Sequence, residues 1–106
     1  MSLLSLLHAA AKADNLPHMQ ELVAAGADIN GRYFLMGDDD EDRPPPTLHR
    51  AAEYGHVAVA RFLIERGARR DATSRGELTA MHVASIRARI EVVRLLIEHG
   101  AMKLQL

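Results

Sequence analysis

Leu48-His49-Arg50-Ala51-Ala52-Glu53-Tyr54-Gly55-His56 leads into an apolar stretch that closes on Phe62-Leu63-Ile64-Glu65-Arg66-Gly67-Ala68. The same marks return 33 residues later: His82 for His49, Ala84 for Ala51, Leu96 for Leu63, Ile97 for Ile64, Glu98 for Glu65 and Gly100 for Gly67. A shift of 41 in the other direction pairs His8 with His49, Leu22 with Leu63 and Gly26 with Gly67. The unit is therefore 33 residues, with eight extra residues between the first and second copies. Three copies lie at about 4–30, 45–72 and 78–106, with an insertion at 31–43, all within one domain spanning 1–106. A fixed period of this size is the mark of a repeat architecture.

Each copy reads as two short helices joined by a turn. In the second, Gly55 suits the left-handed residue that closes a helix. Apolar residues at 59, 60, 62, 63 and 64 then form one helical face, and Gly67 ends it. The third repeats this over Ile90–His99 and Gly100. A single pair of such helices cannot bury its apolar face, so the copies must stack into a continuous core.

Composition agrees. At 48% hydrophobic and 25% charged, the chain of 106 residues has the make-up of an ordinary globular domain. Only Tyr33, Phe34, Tyr54 and Phe62 are aromatic, so Leu, Val, Ile and Ala must build the core, which suits closely packed helices. The absence of cysteine excludes a disulfide framework, a thiolate nucleophile and cysteine-ligated zinc. It fits an intracellular compartment, cytoplasm or nucleus. No apolar run approaches the ~20 residues needed to span a bilayer, and Met1–Ala11 lacks the basic start of a signal peptide. Net charge is −1, against a general nucleic-acid or membrane-surface binder. The charge is divided, however: residues 1–42 carry two basic and eight acidic groups, residues 43–106 eleven basic and six acidic. The two ends therefore face partners differently.

The repeat resembles that of the ankyrin family, whose unit starts T-P-L-H-x-A-A and finishes V-V-x-L-L-L-x-x-G-A. Matching segments are Leu7-His8-Ala9-Ala10-Ala11, Leu48-His49-Arg50-Ala51-Ala52, and Thr79-Ala80-Met81-His82-Val83-Ala84 with Val92-Val93-Arg94-Leu95-Leu96-Ile97-Glu98-His99-Gly100-Ala101. The resemblance implies an all-α fold: a short α-solenoid of three helix-turn-helix repeats with β-hairpin-type loops and one longer inserted hairpin. It implies a protein–protein recognition role without catalysis. Three departures bear on the fold. Pro46-Thr47 stands for the family's T-P pair. Asp14 and Ala88 stand where a glycine closes the first helix, which points to a looser or differently made turn in the third copy. Glu77 stands where the family has a glycine, with Gly76 one step early, which unsettles the third loop tip.

The resemblance also distributes the candidate sites. His8, His49 and His82 share one repeat position; adjacent stacked helices lie ~8–10 Å apart, too far for one metal, so each imidazole is expected to bond its neighbouring turn. No metal or cofactor is expected. The run Asp38-Asp39-Asp40-Glu41-Asp42 lacks the spacing of a calcium loop and reads as a solvated tip or a patch for a basic partner. Beside it, Tyr33 and Phe34 either pack back onto the repeats or form an apolar finger for a partner, and an extended segment can do both with opposite sides. The family's concave face maps onto Arg50, Glu53 and Tyr54 of the second copy and Arg75, Leu78, Ile86 and Arg87 of the third, a mixture of apolar groups and arginines suited to a protein interface. With aromatic platforms lacking, nucleic acid is the poorer partner. No catalytic motif is present; Ser85 takes the place of a core alanine and is expected to be buried.

The ends differ. The first copy has His18 and Glu21 where the second has Val59 and Phe62, as a solvent-facing terminal repeat requires. The last copy is as apolar as an internal one, and the tail Met102-Lys103-Leu104-Gln105-Leu106 adds three apolar residues. An exposed apolar edge is expected there. The alternative function follows: the end of a longer array, or a unit that pairs with a second copy through that edge.

Overall fold

A computed structural model describes residues 2–35 and 43–100. Each repeat contributes two helices: α1 (Leu3–Lys12) and α2 (Leu16–Ala24), α3 (Thr47–Tyr54) and α4 (Val57–Glu65), α5 (Ala80–Ile86) and α6 (Ile90–Glu98). α1, α3 and α5 stack as one row, and α2, α4 and α6 as a second behind it. Small side chains allow the first row to close up. Ala10, Ala11, Ala51, Ala52, Ala80 and Ala84 are all buried within it. Leu22, Val59, Phe62, Leu63, Ile64, Val92, Leu95 and Leu96 fill the space behind. Burying each large apolar side chain contributes roughly 1.5–3 kcal/mol, and no single repeat has a second face to bury it against.

The same local bonds recur in each copy. The inter-helix turn is closed by a backbone bond from Asn15 to Ala10 (2.9 Å), His56 to Ala51 (3.0 Å) and Arg89 to Ala84 (2.8 Å). Each turn needs one left-handed residue, supplied by Asp14 (φ 58°), Gly55 (φ 73°) and Ala88 (φ 57°). The expectation of a different turn in the third copy is thus not met. Ala88 makes the same turn as Gly55 and carries a strain of about 1 kcal/mol or more in doing so. Between rows, His56 Nε2 donates to the Lys12 carbonyl (2.9 Å) and Arg89 Nε to the equivalent Glu53 carbonyl (3.0 Å). Two different residues make one bond because position in the repeat fixes the geometry.

The helix starts are capped unequally. Ser2 Oγ accepts from the Ser5 amide, and Asn15 Oδ1 accepts from the His18 amide ahead of a helix that begins Leu16-Pro17. Thr79 and His82 form a reciprocal capping box at α5. Pro46 caps α3 with no side-chain bond.

No extended strand occurs among the described residues. An isolated antiparallel bridge joins Arg32 to Pro46, with the Tyr33 amide donating to the Pro45 carbonyl (3.3 Å). This is the base of the insertion; the acidic run at 38–42 lies outside the described residues. Within the loop between α4 and α5, residues 74–78 form a tight turn closed by Ser74 N–H to the Leu78 carbonyl (2.8 Å). Gly76 (φ 71°) and Glu77 (φ 61°) are both left-handed at its tip. The tip thus forms with glycine one step early, and Glu77 bears the strain.

At the first repeat, His18 Nδ1 lies 3.5 Å from Glu21 Oε1 on the outer surface, where the interior repeat buries Val59 and Phe62. At the other end Val92, Leu95 and Leu96 face inward, while Ile90 (61%) and Ile97 (49%) are exposed. Ser85 is exposed too, contrary to its expected burial. Its counterpart Ala52 is covered by the third repeat, and no further described repeat covers Ser85.

Candidate functional site

α3, α5 and the 74–78 turn enclose a groove of about 560 Å³ on one side of repeats 2 and 3. Seven of the nine residues singled out from sequence line it: Arg50, Glu53, Tyr54, Arg75, Leu78, Ile86 and Arg87. Arg43, Pro45, His49, Ser74, Gly76 and Val83 complete the wall. The turn projects over α3 because the His49 imidazole holds it: Nε2 donates to the Leu78 carbonyl at 2.9 Å.

The groove's rim is polar. Arg87 Nη2 donates to Glu53 Oε2 (3.1 Å), tying α5 to α3. Arg43 Nη1 donates to Glu77 Oε1 (3.1 Å) and Thr73 Oγ1 (2.9 Å), tying the end of the insertion to the loop. Its apolar part is Leu78, Val83 and Ile86, the last 68% exposed on a helix of the stack. Tyr54 lies at one side, with Lys12 Nζ 5.6 Å from its ring centre and His56 stacked at 6.1 Å.

Arg50 requires a correction. It was expected on the surface among the contact residues but is only 2% exposed. Its guanidinium passes under the groove toward the first repeat. Nε donates to His8 Nδ1 (3.1 Å), and Nη2 donates to the Tyr33 carbonyl. A guanidinium nitrogen can only donate, so His8 Nδ1 accepts and its proton sits on Nε2. From there it reaches the Gly31 carbonyl (2.9 Å), with Thr47 Oγ1 at 3.2 Å. Arg50 therefore ties the base of the insertion to the first repeat. Tyr33 is half-buried there, its ring 5.9 Å from that of His8, while the adjacent Phe34 is 42% exposed. These two lie apart from the groove.

His49 differs from both other histidines of its series. His8 uses both ring nitrogens, and His82 Nδ1 is held by Thr79, whose amide lies 3.1 Å and hydroxyl 2.9 Å away. His49 Nδ1 is buried and has no partner among the described residues. Pro46 occupies the place of Thr79 and has neither an N–H nor a hydroxyl. Burial pushes the His49 pKa down from 6.5 to about 4; the Leu78 bond opposes this, and the positive charges of Arg32 and Arg50 add to it. The expected bond from His49 to its neighbouring turn is present at Nε2; the bare Nδ1 went unread in the sequence, although Pro46 at a cap position was its signal. Among the described residues no three histidines or carboxylates are placed to hold a metal ion, and no helix is long and apolar enough to cross a membrane.

Comparison with known proteins agrees with this construction. The sequence pattern of ankyrin repeats, in three copies, matches residues 7–105. The chain is 32% identical over 99 residues to the nuclear factor NF-kappa-B p105 subunit of Mus musculus, covering 92% of this chain and 10% of that protein. It therefore spans about a tenth of the relative's length. A recurring helix-turn-helix unit, its repeated turn bonds and this match over nearly the whole sequence place the chain in the ankyrin-repeat family.

Proposed function

We propose that the chain recognises a partner protein through the groove of repeats 2 and 3, performs no chemistry, and acts inside the cell. Ankyrin repeats are protein–protein interaction modules. The observation that carries the reading is the convergence of Glu53, Tyr54, Arg75, Leu78, Ile86 and Arg87 on one groove. Apolar surface flanked by charged rim groups is the usual make-up of a recognition surface. Phe34 offers a second contact at the base of the insertion. The test is a pull-down from lysate with wild type, Tyr54→Ala/Ile86→Ala/Arg87→Ala and Phe34→Ala, each checked by circular dichroism. A protein retained by wild type and lost with the folded groove variant supports the reading. Retention by all three proteins contradicts it.

A second reading rests on Ile90 and Ile97, whose exposure leaves an apolar edge on the third repeat. Pairing of two copies through this edge would cover it. Sedimentation equilibrium of wild type against Ile90→Lys/Ile97→Lys reads this directly, and a monomeric wild type at high concentration rejects it.

A further inference from the structure

The chain as a whole is nearly neutral at −1, but its groove is not. Arg43, Arg75 and Arg87 line it together with the almost wholly buried Arg50, and Glu53 is the one carboxylate among the lining residues. The rim pairs Arg43–Glu77 and Arg87–Glu53, each at 3.1 Å, have exposed arginines. Such pairs are worth at most about 1 kcal/mol, so an incoming carboxylate can exchange with Glu53 or Glu77 at little cost. Beside the cations lies an apolar surface of Leu78, Val83 and Ile86. A continuous phosphate backbone would leave that surface uncovered and would meet Glu53, and among Phe, Tyr and Trp the wall offers Tyr54 alone for stacking.

We propose that the groove takes an acidic peptide segment of a partner protein, with carboxylates on the arginine rim and an apolar side chain against Val83 and Ile86. This rests on the reading of the groove as the recognition surface and names the chemistry of what enters it.

The test is selection of phage-displayed random dodecapeptides on the wild-type chain. Selected peptides are then synthesised with a fluorescent label and titrated by anisotropy. The proteins are wild type, Arg75→Glu/Arg87→Glu and Ile86→Ala, each checked for native circular dichroism, and a labelled oligothymidylate serves as a further ligand. The expected peptides are rich in Asp and Glu and carry at least one large apolar residue. Their Kd should rise about tenfold or more with the charge reversal and about threefold with Ile86→Ala, and should also rise between about 50 and 300 mM salt. Neutral or basic peptides that still depend on Ile86 would overturn the acidic partner while leaving the groove as the recognition surface. Peptides indifferent to both variants, or no enrichment at all, would overturn the groove itself. Oligothymidylate binding as tightly as the peptides would overturn the peptide in favour of nucleic acid.

Discussion

His8 and His49 occupy one position in successive repeats, yet the two junctions they belong to are built differently. At the first, Arg50 reaches under the stack, donates to His8 Nδ1 and fills the space beside it. At the second, the residue 33 positions on from Arg50 is Val83. It is short and apolar, donates nothing to His49 Nδ1 and leaves the groove open. This substitution, together with Pro46 at the cap and the insertion beside the first junction, separates a closed polar cluster from an open surface within a common frame. A fully bonded junction gains stability and loses its opening. The open junction keeps a buried acceptor without a donor, which costs about 1–3 kcal/mol.

The most damaging way to break this comparison is Arg50→Ala. It strips His8 Nδ1 and the Tyr33 carbonyl of a donor and leaves a cavity, so the urea-unfolding free energy should fall by about 4 kcal/mol. A loss under about 1 kcal/mol would show that the cluster is not what holds the first junction.

Acid should attack the second junction instead. The His49 pKa is lowered in the folded chain, so between pH 6.5 and about 4 the unfolded state binds the extra proton. The contribution is therefore complete above pH 6.5 and is lost as pH falls toward 4, by roughly 3 kcal/mol in all. Urea midpoints for wild type and His49→Gln across that window should converge on acidification. Parallel curves would remove His49 as the cause.

Pro46→Thr should sharpen the contrast by repairing His49. The backbone already suits the change: Pro46 has φ −75° and ψ 166°, close to the −88° and 172° of Thr79. The new amide and hydroxyl can bond Nδ1 as Thr79 does for His82. Some unfolded-state rigidity is lost with the proline, leaving a net gain of about 1 kcal/mol. An unchanged or lower melting temperature would contradict the cap explanation.

The smallest effect on stability, about 0.5 kcal/mol either way, is expected from Val83→Arg, which copies the first junction into the second. The guanidinium should occupy the groove and offer its Nε to His49. Ligands of the groove should then lose their affinity in titration although the chain stays folded. Undiminished binding would mean that Val83 is not what keeps the groove open.

The frame of this molecule was readable residue by residue. Repeat length, the pairing of His8, His49 and His82, and the helix stops at Gly26, Gly55, Gly67 and Gly100 each express a local requirement of backbone or packing. The resemblance to the ankyrin family, carried over position by position, named seven of the residues that line the groove, because a concave-face position in one repeat is the same position in the next. The same carry-over misplaced Arg50 and Ser85, since a position shared between repeats fixes the backbone and not the burial of each side chain. Arg50 is buried because the Tyr33 carbonyl and His8 Nδ1 happen to lie within reach. Ser85 is exposed because its cover would have to come from a neighbour on that side.

Sequence by itself therefore determined the period, the helices and most of the stops between them, all of which depend on residues close along the chain. Tertiary structure alone decided which polar groups find partners, and hence which junction closes and which stays open. Those bonds join residues up to 44 positions apart, and only the packed stack brings donor and acceptor to within hydrogen-bonding distance.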